Sequence, residues 1–150
     1  MEKTFKSVAL IQHASAGQKK MLLRQKTPAA AWQFVVADRL EGESFRESVS
    51  REVAWELRLK SRSGFLVSSM AQLSVEYAET LCDASERLVS VTFVNVHIYR
   101  EEVLQELNED PLNRWFSAAE ICHGQTPSGA VIDPQVVDWI NRWEVIQPWQ

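Results

Sequence analysis

The chain has 150 residues, 45% apolar and 24% charged, with five Gly and five Pro, which fits one globular domain over 1–150 and excludes a disordered or collagen-like chain. Its formal charge of −4 offers no broad attraction to a nucleic-acid backbone, so nucleic acid is not an expected partner. No apolar run approaches the ~20 residues of a membrane span, the N-terminus MEKTFKSVAL lacks a secretory core, and Cys82 and Cys122 form no CxxC pattern. A cytoplasmic chain with free thiols, away from membranes, is the expectation.

Phe5 to His13 is rich in apolar and β-branched side chains and reads as a strand. Ala14 to Gln18 is a turn candidate, and Lys20 to Lys26 a second strand pairing back as a hairpin. Trp32 to Val36 is a third, short strand. Ser44-Phe45-Arg46-Glu47 fits a capping box. Phe45, Val49, Val53 and Leu57 then recur every four residues as one apolar stripe, which predicts a helix. Phe65 to Thr80 is strand-like, with a break near Ser68-Ser69. Leu81 to Glu86 is a polar loop. Leu88 to Arg100 is the strongest strand, apolar on both faces early on, and so central. Glu101 to Leu107 is a short helix, Asn113 to Phe116 leads into another short segment, and His123 to Ala130 is a loop. Asp133-Pro134 starts a last helix, with Val136, Ile140 and Trp143 on one side. The order implies a mixed sheet with helices packed on it.

The segment Trp32 to Leu59 carries the chemistry. Glu52 and Glu56 lie one helical turn apart and project from one face. Such a pair repels unless it is solvated, paired with a cation or bound to a divalent metal, and hard oxygen ligands suit Mg²⁺ or Mn²⁺. The segment resembles the Nudix box, which runs Gly, five residues, Glu, seven residues, Arg-Glu, an aliphatic, any residue, Glu-Glu, any residue, Gly, an aliphatic. Glu43 matches the first Glu, Arg51-Glu52 the Arg-Glu pair, Val53 the aliphatic, Glu56 the second Glu of the pair, and Leu59 the closing aliphatic. Trp32-Gln33-Phe34 and Gly42-Glu43-Ser44 match common flanks. The resemblance implies an α/β/α sandwich whose mixed sheet carries the box helix on one face and the C-terminal helix on the other. It implies a hydrolase that cleaves a pyrophosphate linkage in a nucleoside di- or triphosphate derivative. Glu52 and Glu56 would be the catalytic metal ligands, and Glu43 and Arg51 the structural pair that holds the preceding loop.

Three positions depart from the pattern. The opening Gly is Ala37, which removes the freedom of positive φ there. The first Glu of the Glu-Glu pair is Trp55, a neutral indole where the family has a principal metal ligand. The closing Gly is Arg58; because Arg resists the left-handed conformation, the helix is expected to run on to about Lys60. These departures motivate an alternative, a catalytically inactive Nudix-fold module that binds a nucleotide or a protein. An unrelated α/β domain with a chance match is the third reading. Glu47 lies wrongly around the helix to replace the lost acid, whereas Glu76, Glu79 and Glu86 are open candidates for a distal carboxylate. Asn95 and His97 share one strand face and are candidates to line a pocket beside the box helix. Trp139 and Trp143 suggest packing, and Trp149 the cover of an apolar patch or a homodimer contact. Basic spots at Lys19-Lys20 and from Arg58 to Arg62 suit a solvated surface or a small anion.

Overall fold

The computed structural model describes residues 2–15, 18–60 and 63–146. The strands are β1 (Glu2–Ser15), β2 (Gln18–Arg24), β3 (Val35–Asp38), β4 (Phe65–Val67), β5 (Leu73–Thr80), β6 (Glu86–Ile98) and β7 (Asn113–Ser117). The helices are α1 (Phe45–Glu56), α2 (Glu101–Glu109), α3 (Ala118–His123) and α4 (Pro134–Trp143). All seven strands join one mixed sheet, ordered β4-β6-β1-β2-β7, with β3 pairing β1 and β5 pairing β6. Its centre is the parallel pair of β1 and β6, in register from Glu2↔Arg87 to Gln12↔His97.

Alternation along these two strands builds two cores. Val8 and Leu10 of β1, with Val89, Val91 and Phe93 of β6, pack beneath Val136, Trp139 and Ile140 of α4 and Ile121 of α3. Ala9 and Ile11, with Val94 and Val96, pack beneath Val49 and Val53 of α1 and Val103 and Leu107 of α2. The result is an α/β/α sandwich, with α1 and the terminal helix on opposite faces of the sheet. The terminal helix starts where Asp133 caps it: its carboxylate accepts from the Gln135 amide at 2.8 Å. Among the described residues, no helix is long and apolar enough to cross a membrane.

Several expectations shift. The third strand begins at Val35, because Trp32 and Gln33 make only isolated bridges, to Ile132 and Arg24. The break after Ser68 extends to Gln72 and separates β4 from β5. The segment after Asn113 is a five-residue edge strand followed directly by α3. Asn95 and His97 do not face the box helix. Their neighbours Val94 and Val96 do, so the pleat turns Asn95 and His97 to the α4 face, where Gln12 Nε2 donates to Asn95 Oδ1. Cys82 and Cys122 are both free. The tip of the first hairpin, the end of the Arg58 to Arg62 basic spot and Trp149 lie outside the described residues.

Candidate functional site

The capping box expected at Ser44 starts α1. Ser44 Oγ accepts from the Glu47 amide at 3.1 Å, and Glu47 Oε1 accepts from the Ser44 amide at 3.3 Å. Glu47 is thereby committed to the helix start. Two polar tethers fix the helix on the sheet: Ser48 Oγ donates to Ser7 Oγ at 3.0 Å in the buried interior, and Arg46 Nη2 donates to the Val67 carbonyl at 3.1 Å.

Arg51 gathers the loop in front of α1. Its Nε and Nη2 form a fork on the Glu43 carboxylate at 2.9 and 3.1 Å. Nη2 also donates to the Asp38 carbonyl at 3.0 Å, and Nη1 to Glu52 Oε2 at 3.1 Å. Glu43 in turn accepts from the Leu40 amide at 3.1 Å. The Arg51 hydrogen bonds hold the Glu43 carboxyl below its ordinary range. The loop needs no glycine at position 37. Ala37 lies buried within β3, paired with Ser7, and the positive φ falls at Gly42 instead, at +79°.

The other end of α1 differs from expectation. The helix stops at Glu56 and does not run on to Lys60. Arg58 takes the left-handed conformation, φ +55°, in spite of its side chain. The Arg58 amide donates to the Trp55 carbonyl at 3.2 Å and the Leu59 amide to the Ala54 carbonyl at 3.0 Å, which is the Schellman pattern. Leu59 packs against the core beneath α1. Burying that leucine and satisfying two terminal carbonyls outweigh the steric cost at Arg58.

A cavity of about 720 Å³ opens between this end of α1, the end of β2 and β3, within the size range of small-molecule sites. Glu52, Glu56, Trp55 and Arg58 line one side, and Arg24, Lys26, Gln33, Phe34, Val36 and Asp38 the other. Arg24 and Gln33 are locked opposite each other by a pair of backbone hydrogen bonds at 2.8 and 2.9 Å. The Arg24 guanidinium is buried and donates to Asp110 Oδ2 at 2.9 Å and Asn113 Oδ1 at 2.8 Å. Trp55 is 74% exposed, so its ring stands at the rim instead of filling the core.

Glu56 sits half-buried in the cavity wall. Burial and then the charge of Glu52 push its carboxyl up, against the pull of Lys26 and Arg24. Glu76 pairs with Lys3 at 2.8 Å and Glu79 with Arg87 at 2.8 Å; neither they nor Glu86 line the cavity. The acid that joins Glu52 and Glu56 there is Asp38, which pairs with Lys6 at 3.2 Å. Arg24, Lys26 and Asp38 escape a reading of the box alone. The alternation of β2 carries one usable signal: Arg24 shares parity with Leu22, which packs on the α1 face.

No cluster of three or more His, Cys, Asp or Glu suited to a metal occurs among the described residues. With Asp38 paired to Lys6, the donor set on α1 is two carboxylates, one of them already accepting from Arg51, with an indole in place of a third acid. Two carboxylates suit Mg²⁺ when substrate phosphates complete its shell. The residues therefore fit a cation that arrives with a phosphorylated ligand better than a resident one.

No family profile and no curated protein matches the chain. Solved structures do. An Ap4A hydrolase from C. elegans aligns with a TM-score of 0.57 at 11% identity, over 99% of this chain and 96% of that one. A Nudix hydrolase from M. smegmatis, RenU, aligns with a TM-score of 0.58 at 12% identity, over 96% and 86%. NrtR from Shewanella oneidensis, also solved with a 27mer DNA, aligns with a TM-score of 0.61 at 13% identity, over 92% of this chain but 60% of its own. Over most of its length the backbone thus superposes on Nudix hydrolase structures: the chain has the Nudix fold.

Proposed function

We propose that the cavity at the end of α1 binds a small phosphorylated, nucleotide-like ligand and does so without a resident metal. The charge left over in its wall carries the reading. Asp38 pairs with Lys6, Glu52 with Arg51, and Arg24 with Asp110. Lys26 and Arg58 make no ion pair within 4 Å among the described residues, and together they outnumber the one cavity carboxylate left without an ion pair, Glu56. An anionic ligand fills that excess, and the exposed Trp55 ring at the rim offers a surface for a base to stack on. The fold neighbours that are named hydrolases support a nucleotide-like ligand.

Calorimetry with ADP tests this. Binding that persists in EDTA, without release of phosphate, is the expected result. Failure of ADP and of a small nucleotide panel to bind, with or without metal, would overturn it.

A second reading is a divalent-metal-dependent pyrophosphohydrolase with Glu52 and Glu56 as its acids. Their mutual repulsion favours it, because a cation between them would relieve the Glu52 charge that, after burial, raises Glu56. A cation brought in by the ligand's phosphates would supply Lewis-acid polarisation at phosphorus. The chain's own contribution would be the fixed loop that Arg51 holds and the two acids beside it. Phosphate release with Mn²⁺ that disappears in Glu52→Gln would replace the binding-only reading with this one.

A further inference from the structure

Resting on the reading of the cavity as a phosphoryl-ligand site, we infer that Arg58 positions the ligand's phosphate, and that α1 ends in a strained turn in order to present it. The turn that closes α1 needs a left-handed residue, and Arg58 supplies it at φ +55°. Glycine adopts that conformation with no clash of Cβ against the carbonyl, whereas any L side chain is strained there. The Schellman hydrogen bonds and the packing of Leu59 are backbone and neighbour features that a glycine would keep. Nothing in the turn itself calls for a side chain at position 58.

Arg58 instead lines the cavity, together with Trp55, Glu56 and Lys26. It makes no ion pair within 4 Å among the described residues, and its charge reaches Asp110. Ala29, Ala84 and Glu144 also take positive φ, but Arg58 alone of these four lines this cavity, where it joins a left-handed backbone to an unpaired guanidinium. Guanidinium is also the group whose planar fork matches phosphate oxygens. Arg58 and Lys26 together would grip one phosphate.

Inorganic pyrophosphate in EDTA is the probe, followed by backbone amide shifts in the wild type and in Arg58→Ala, Arg58→Lys and Arg58→Gly. In the wild type the amides of 56–59 and of Lys26 shift and saturate. Arg58→Ala and Arg58→Gly each weaken binding about tenfold or more, and Arg58→Lys by less. Arg58→Gly, relieved of strain, melts about 2–4 °C above Arg58→Ala. If both truncations bind pyrophosphate like the wild type, the role of Arg58 is overturned while the cavity reading stands. If the wild type shows no saturable shift, the cavity reading falls and takes this inference with it. If Arg58→Gly melts no higher than Arg58→Ala, the turn is not strained, and that half of the inference is wrong.

Discussion

Glu56 shows how one residue links the site to stability. Burial and the Glu52 charge raise its folded pKa above the ordinary 4.5. The folded state then holds the proton more tightly than the unfolded chain, so stability falls as pH rises from 4.5 through the folded value. Glu56→Gln removes this penalty. The variant is expected to melt higher than the wild type at pH 7, with the difference shrinking to nothing below pH 4.5, where both states of the wild type are protonated. A pH-independent difference would show that Glu56 is not perturbed by its neighbours. Arg51 behaves oppositely, because its worth is geometric. Its fork on Glu43 and its bond to the Asp38 carbonyl pin the loop 38–43. Arg51→Lys keeps the charge but cannot make the fork. It is expected to speed hydrogen exchange at the Leu40 and Glu43 amides nearly as much as Arg51→Ala; full protection in the lysine variant would reduce the pair to simple charge attraction. The spacing of Glu43, Arg51, Glu52 and Glu56 was legible in the sequence, since an eight-residue offset and one helical turn are local facts. Lys26, Asp38 and the Arg24–Asp110 pair were not, because they reach the cavity through strand pairing across long stretches of chain.

At the level of elements, the ends were harder to read than the middles. The capping box and the four-residue stripe placed the start of α1 at Ser44 with no tertiary information. Removing the cap by Ser44→Ala is expected to cost about 1 kcal/mol in urea unfolding, with the slope of the transition unchanged. The end of α1 could not be read the same way, since local propensity counted against a left-handed arginine and burial of Leu59 prevailed. The strand character of Phe65 to Thr80 and the two-sided apolar run of β6 were visible because the sheet's pleat writes itself into sequence. The edge strand β7 was not, since five residues with a single buried position, Phe116, leave little pattern. Gly64 marks another junction fixed by contact. It lies at φ +102°, and its carbonyl accepts from the Tyr99 and Arg100 amides at 3.1 and 3.3 Å. A Cβ there would stand 2.5 Å from Val103 Cγ2, on the helix that packs beside α1. Gly64→Ala is therefore expected to destabilise by about 1–3 kcal/mol. A cost under about 0.5 kcal/mol, the ordinary range for surface changes, would mean that α2 shifts freely on the sheet.

Across the whole molecule, the two layers share one support. Each of β1 and β6 sends alternate residues to opposite cores: Val8 and Leu10 against Ala9 and Ile11, Phe93 against Val94 and Val96. Neither core can come apart while the other keeps these strands in place. Phe93 tests this, because it is fully buried on the α4 face, edge-on to Trp139 with ring centroids 5.9 Å apart, and does not line the cavity. Phe93→Ala is expected to cost about 3–5 kcal/mol. At about 1.4 kcal/mol per decade, that is a loss of roughly two to three and a half orders of magnitude in protection for amides that open only on global unfolding. Shared support predicts that residues 8–11 of β1 and 94–96 of β6 lose protection by the same factor, although four of these seven face the untouched α1 core. Hydrogen exchange measured residue by residue in the variant decides it. Loss confined to α4 and the odd residues of β6 would show two layers that open separately, and the cavity would then sit on a half that stays folded by itself.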